Sequence, residues 1–289
     1  MAMVKSAVWM ICRNDGYYID MAIKSVLSNV DGIYIFDNGS DDNTIEVIES
    51  FHSDKIYLEK QRYTTEYGDS YSLIDCAVHP YWRWDEQYDG NSLEAHTRNY
   101  AMKRCMEIFT PHWLLNLDAD EVVTQLLFNR LNQLDLDIVT SVEHNTDRFI
   151  DSQHIAREPN TWGYMRYDPH IRFWNTKTPM KWLRQRREYG HVRIIGPQEV
   201  TDGNEFSPSR CTNKWIEHLR KYGEENRIFL YDILHIHLHR MFGPKSAYFF
   251  EHYGNNHEFK VKVDFNWEQE LPFVWEKWKT WKGKKAGII

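Results

Sequence analysis

Two aspartates one residue apart, Asp118 and Asp120, follow the apolar run His112–Leu117 and are themselves followed by Glu121. Carboxylates spaced this way just past a buried strand point at one edge of a sheet. A hard divalent cation such as Mn2+ or Mg2+ takes oxygen ligands of this kind and can share them with a diphosphate. A cation held there offsets charge that builds on a departing phosphate group. An acidic surface turn has the same composition, so the reading depends on what stands around it. A second group is Leu234-His235-Ile236-His237-Leu238-His239. Strand alternation sets its three imidazoles on one face and its aliphatic side chains on the other. That face could equally be a solvated edge, or a zinc site of histidines alone, although no Cys or Asp spacing beside it supports zinc. The third group is a pair of polar turns, Arg13-Asn14-Asp15-Gly16 and Asp37-Asn38-Gly39-Ser40-Asp41-Asp42, each closing an apolar run.

The elements that must position these residues follow from periodicity. Residues 4–11 read as a buried strand, and Met21, Ile23, Val26, Leu27 and Val30 form the apolar stripe of a helix. Ile33–Phe36 is a second strand. Ser40 or Asp41 can cap a second helix with Ile45, Ile48 and Phe51 inward. Lys55–Glu59 suits a third strand, Glu94–Phe109 a helix, and His112–Leu117 a fourth strand. Strands alternating with helices imply an α/β fold with a mixed, mostly parallel sheet flanked by helices on both faces. Ligands gather beyond the carboxyl ends of such strands, where the polar turns and Asp118-Ala119-Asp120 fall. Residues 62–93 are irregular and rich in Tyr, Asp and Trp, which suits an insert or lid.

In order and spacing, residues 4–123 resemble family-2-type glycosyltransferases of the GT-A (Rossmann-like) fold. The resemblance is carried by Val8–Leu27, by Phe36–Thr44, by Arg98-Asn99 on a helix, and by Leu117–Glu121. It implies a nucleotide-sugar donor, with a UDP-sugar favoured, and a divalent metal, Mn2+ or Mg2+. It places Asp37 on the donor base, Asp118 on the ribose or a metal-bound water, Asp120 on the metal, and Arg98 and Asn14 beside the donor. Asp37 could instead serve only as an Asx-turn residue, and Arg98 only as a surface partner of Glu94. The histidine segment stands where relatives carry a metal-completing imidazole, which points to His235 or His237. An inverting transfer needs a carboxylate base. The position matching the family's is Glu199, with Asp202 second. The resemblance further implies one GT-A domain, with residues 1–125 as its nucleotide-sugar half, 126–245 as its acceptor half, and 246–289 as a C-terminal helical segment and basic tail.

Composition narrows the partners. A net charge of −7 argues against a general nucleic-acid binder. Two local basic stretches stand apart from it: Lys181, Arg184, Arg186, Arg187 and Arg193, and Lys277–Lys285 interleaved with Trp275, Trp278 and Trp281. These suit a polyanionic acceptor, so the hydroxyl acceptor is a glycan, a lipid-linked sugar, or a hydroxymethylated DNA base of the kind phage transferases modify. The terminal lysines could also be a solvated tail. Trp162, Tyr164, Tyr167 and Trp174 could stack on an acceptor ring or simply fill the core. The four cysteines form no framework, and no apolar run is long enough to span a membrane, so a reduced, cytoplasmic protein is expected. A nucleotidyltransferase would carry a Gly-rich phosphate loop after the first strand, which Cys12–Gly16 is not. A non-catalytic GT-A-like binding module would be expected to lose the metal acids, and they are present.

Overall fold

The computed structural model describes residues 5–60, 93–135, 139, 141–157, 169–177, 180–186, 192–199, 227–239, 241–244 and 259–285. The front of the chain runs β1 (Ser6–Cys12), α1 (Ile19–Val26), β2 (Gly32–Asp37), α2 (Thr44–Glu49), β3 (Ile56–Lys60), α3 (Leu93–Phe109) and β4 (Trp113–Asn116). After a turn come β5 (Glu121–Val123), α4 (Gln125–Leu131), β6 (Ser141–Asp151), β7 (His154–Arg157), β8 (Pro169–Asn175), β9 (Met180–Arg186) and β10 (Val192–Glu199). The described chain closes with β11 (Arg227–His237), β12 (Phe259–Lys262), α5 (Trp267–Glu270) and α6 (Pro272–Lys285).

The architecture is α/β, built on a mixed sheet ordered β12-β7-β6-β8-β4-β1-β2-β3, with β11 joining β6 and β5. The front strands β4, β1, β2 and β3 are all parallel. Pairing becomes antiparallel where β8 docks on β4, and β6 and β7 continue that sense. β9 and β10 form a separate antiparallel pair.

Both faces of the front strands are covered, which is why they read as continuous apolar runs rather than as an alternation. One face of β1 and β2 presents Val8, Met10, Cys12, Ile33 and Ile35, packed with α1, α2 and α4 through Ile19, Ile23, Val26, Ile48, Leu127 and Leu131. The other face presents Ala7, Trp9, Tyr34 and Phe36, against Ala101, Met102 and Cys105 of α3. A third apolar cluster joins Met21 of α1 to Ile236, Leu238, Phe149 and the two C-terminal helices.

Two alternatives left open by the sequence are decided here. Trp174, weighed as an acceptor platform, is 1% exposed and belongs to the core. The Lys/Trp segment is not a solvated tail through residue 285 but helix α6, whose Val274 and Trp278 are buried. Lys277 bonds the Tyr17 carbonyl and Asp20, while Lys279 and Lys282 lie over Trp275 and Trp278. Those ring faces and cations serve one another within the fold.

Candidate functional site

The carboxyl ends of β1 and β2 are knitted by their own loops. Asn14, in the left-handed region at φ 55, donates its N–H to Ser40 Oγ and accepts from the Asp41 N–H through Oδ1. Asp37 accepts from the Gly39 and Ser40 N–H groups and from the Ser40 hydroxyl. Asp37 therefore does form the turn its sequence allows. Gly16 packs closely here: a Cβ would meet Asn43 Oδ1 at 2.1 Å and push that side chain aside.

Beneath this knot, the buried Thr44 hydroxyl accepts from the Asp15 N–H at 2.9 Å and bonds the Asp42 carboxylate. Thr44→Val removes both bonds while preserving shape. It leaves a buried N–H unsatisfied and should cost about 1–3 kcal/mol in urea unfolding, most of it restored by Thr44→Ser.

Asp118–Asp120 is the turn between β4 and β5, closed by the Glu121 N–H on the Asp118 carbonyl at 3.0 Å. Arg98, from α3, donates to Asp118 Oδ1 at 2.9 Å, so its partner is the acidic turn. Arg172, from β8, lies 3.9 Å from Asp118 Oδ2. Asp118 keeps 28% of its side chain exposed between the two guanidinium groups. Arg172 is shared with Glu121, and Asp120 stands on the same turn, so three carboxylates face two guanidinium groups and a further anion at this edge would need a cation beside it.

Asp120 takes the other direction. Its Oδ1 is 3.1 Å from His237 Nε2, and its Oδ2 is 3.1 Å from His239 Nδ1. The two imidazoles meet edge to face at 3.8 Å. Ligand-type atoms of Asp120, His237 and His239 all lie within 4.8 Å of one another, and the three side chains are half-buried or buried. The main chain fixes them together. β5 pairs with β11 with Glu121 opposite His237, and the Leu238 N–H bonds the Asp120 carbonyl at 2.9 Å. The strand stops at His237, and a turn closed by the Met241 N–H on the Leu238 carbonyl carries His239 round to Asp120.

His235, expected beside the metal ligands, is placed elsewhere. It is 0% exposed, with Nε2 2.9 Å from Glu121 Oε2. Glu121 also accepts from Arg172 Nη2 at 3.1 Å. Burial would raise the Glu121 pKa, but Arg172 and His235 outweigh it and hold the carboxyl well below the usual range. Burial, aided by Arg172, lowers the pKa of His235 despite Glu121. A neutral ring against an ionised carboxylate must carry its proton on Nε2. Asp118, also expected in a metal shell, points to Arg98 rather than into the histidine cluster.

No protein-family model and no curated protein sequence matches the chain. Among solved structures, it is similar to residues 1–349 of S. aureus TarS at 13% identity and a TM-score of 0.36, covering 60% of this chain and 47% of that one. It is also similar to glucosyl-3-phosphoglycerate synthase from Mycobacterium tuberculosis in complex with Mn2+, uridine diphosphate and phosphoglyceric acid. There the identity is 15% and the TM-score 0.31, over 50% of this chain and 43% of that one. The chain thus spans less than half the length of either structure.

The donor set of the Asp120 cluster, one carboxylate and two imidazoles, is chemically suited to a divalent ion. Two nitrogen ligands weigh against Mg2+, which seeks a near-octahedral oxygen set, and leave Mn2+ as the better match of the two ions expected. Arg172 and His239 are the residues the sequence did not single out for the site. An arginine amid the apolar run Ile171–Trp174 was the available signal for the first. Glu199 ends β10, with its backbone opposite Met180 in the strand register. Asp202, the proposed lid 62–93, Trp162, Tyr164 and Tyr167 lie outside the described residues or, for Leu93, at the first residue of α3.

Proposed function

We propose that this chain is a metal-dependent glycosyltransferase that moves a sugar from a nucleotide-sugar, with a UDP-sugar favoured, to a hydroxyl acceptor. The observation that carries this reading is the Asp120–His237–His239 cluster at the same strand-end edge as an arginine-bridged Asp118. Side chains that could hold a divalent ion stand beside a half-exposed carboxylate that Arg98 fixes in place.

In this reading Asp120, His237 and His239 would hold a divalent ion, Mn2+ favoured, whose chemistry would be charge compensation of a diphosphate leaving group. Arg98, through its hydrogen bond to Oδ1, orients Asp118 toward the donor ribose or a water. Arg172 adds a fixed positive charge behind that carboxylate. The Asn14 and Asp37 loops form the wall of the base site. Asp37 accepts three hydrogen bonds within its turn and a weak fourth from the Cys12 thiol, so a uracil N–H would displace the thiol, the weakest of the four. Glu199 takes the acceptor hydroxyl proton as an inverting base, with Asp202 as the second choice. The acceptor is a glycan, a lipid-linked sugar or a modified DNA base. Lys277, bonded to the Tyr17 carbonyl and Asp20, is one α6 cation withdrawn from the nucleic-acid version.

The test is release of UDP from a panel of UDP-sugars with Mn2+, Mg2+, Zn2+ or Fe2+ and no added acceptor. Slow hydrolysis of one donor, greater with Mn2+ than with Mg2+, is expected. The same two-histidine, one-carboxylate set also suits non-haem iron. Tight Fe2+ binding with no response to any nucleotide would replace the transferase reading with that one.

A further inference from the structure

We infer that Glu121 is the positioning residue that sets the acidic turn at the right distance from the histidine end of β11, an inference that rests on the proposed metal-dependent donor site. Its side chain is 1% exposed. One oxygen, Oε2, accepts from the Asp118 backbone N–H at 2.9 Å and from His235 Nε2 at 2.9 Å. The other, Oε1, accepts from Arg172 Nη2 at 3.1 Å. These donors come from three separate elements: the β4–β5 turn, β11 and β8. Arg172 extends the frame by donating through Nη1 to Asn116 Oδ1 at 3.0 Å, at the end of β4.

A buried carboxylate is costly to desolvate, and it is tolerated when several donors converge on it. The same convergence fixes the donors relative to one another. Asp118 and Asp120 sit on the turn that Glu121 grips at one end. His237 and His239 follow His235, which Glu121 grips from the other side. None of Glu121, His235 and Arg172 belongs to the cluster of ligand-type atoms, yet the geometry of that cluster hangs on them. The carboxylate adds a side-chain tie to the main-chain ones, joining the Asp118 N–H and the His235 ring at a single oxygen. Outer partners of this kind typically govern metal affinity by about 10–100-fold.

The experiment is titration of Mn2+, followed by the paramagnetic resonance of the free ion at a temperature well below unfolding, for the native chain and Glu121→Gln. The amide keeps the size but places a donor where Arg172 or the Asp118 N–H already donates. Mn2+ affinity should fall at least tenfold in Glu121→Gln. An unchanged affinity, even with a lowered unfolding midpoint, would make Glu121 a structural residue only and overturn the inference. Should Glu121→Gln not fold, Arg172→Lys carries the same test. A lysine keeps the charge but lacks the planar fork that holds Asn116 and Glu121 in fixed geometry, so affinity should fall about threefold or more, and no change again overturns it. A native chain that binds no Mn2+ overturns the donor site, and this inference with it. A native chain that binds Mn2+ as well as its variants do overturns this inference alone.

Discussion

Asp120→Ala should abolish the joint stabilisation of the chain by UDP and Mn2+ while leaving the ligand-free protein nearly as stable as before. A ligand at about 100 times its Kd adds about 2.7 kcal/mol to the folded state. In a chain of this size that is a rise in Tm of roughly 5 °C. The native chain should show this rise only when nucleotide and metal are both present. Asp120 supplies both oxygens that face His237 and His239. Its loss leaves two imidazoles, which hold a Mn2+ ion poorly without a carboxylate. The free fold should tolerate the change because the link to β11 is a main-chain bond, the Leu238 N–H on the Asp120 carbonyl. Transfer activity should fall about 10³-fold, the equivalent of several kcal/mol of lost charge stabilisation. His239→Ala should lose the coupled shift as well. A full shift in Asp120→Ala would remove this cluster from the donor site. A full shift in His239→Ala with none in His235→Ala would return the third ligand to the position expected from sequence.

That contrast marks where the sequence stopped being informative. The parallel front strands are covered on both faces, so their apolar runs stood out against the polar turns. The placement of Asp37, Asp118 and Asp120 at strand ends followed directly. The alternation of His235, His237 and His239 was equally plain. What alternation could not say is which imidazole faces a buried carboxylate and which faces the half-exposed one. That depends on register: Glu121 lies opposite His237 in the β5–β11 ladder, and its side chain reaches His235 instead.

His239 was read as continuing the strand. It reaches Asp120 because the strand ends and turns. Arg172 stood out only as a charge in an apolar run, and its role was hidden for a different reason. Its partners, Asn116, Glu121 and Asp118, are 51–56 residues away in sequence, and only the docking of β8 on β4 brings them together. The antiparallel back half follows the same logic, since long-range pairing leaves little local signature. The basic character of the C-terminal segment was legible. The internal use of its charges depended on α6 packing beside Tyr17 and Asp20.

The largest effect on folding should come from Arg172→Met. The guanidinium is 5% exposed and donates to Asn116 and Glu121, both buried. Methionine fills much of the same volume with no polar atom, so the change removes charge and donors without a large void. Glu121 is then left ionised in the interior with one charged partner fewer. Breaking a buried pair from one side typically costs about 3–5 kcal/mol. Equilibrium unfolding in urea should record a loss of that size with an unchanged slope. Adding Glu121→Gln should recover part of it, because the amide no longer needs a cation. This non-additivity separates a stranded charge from simple loss of packing. If the double variant is instead less stable by the sum of the two single losses, the pair is not energetically coupled. Arg172 would then owe its place to Asn116 and the β4–β8 contact alone. Recovery would mean that the ions beneath the acidic turn act as one unit, and that the turn inherits its rigidity from them.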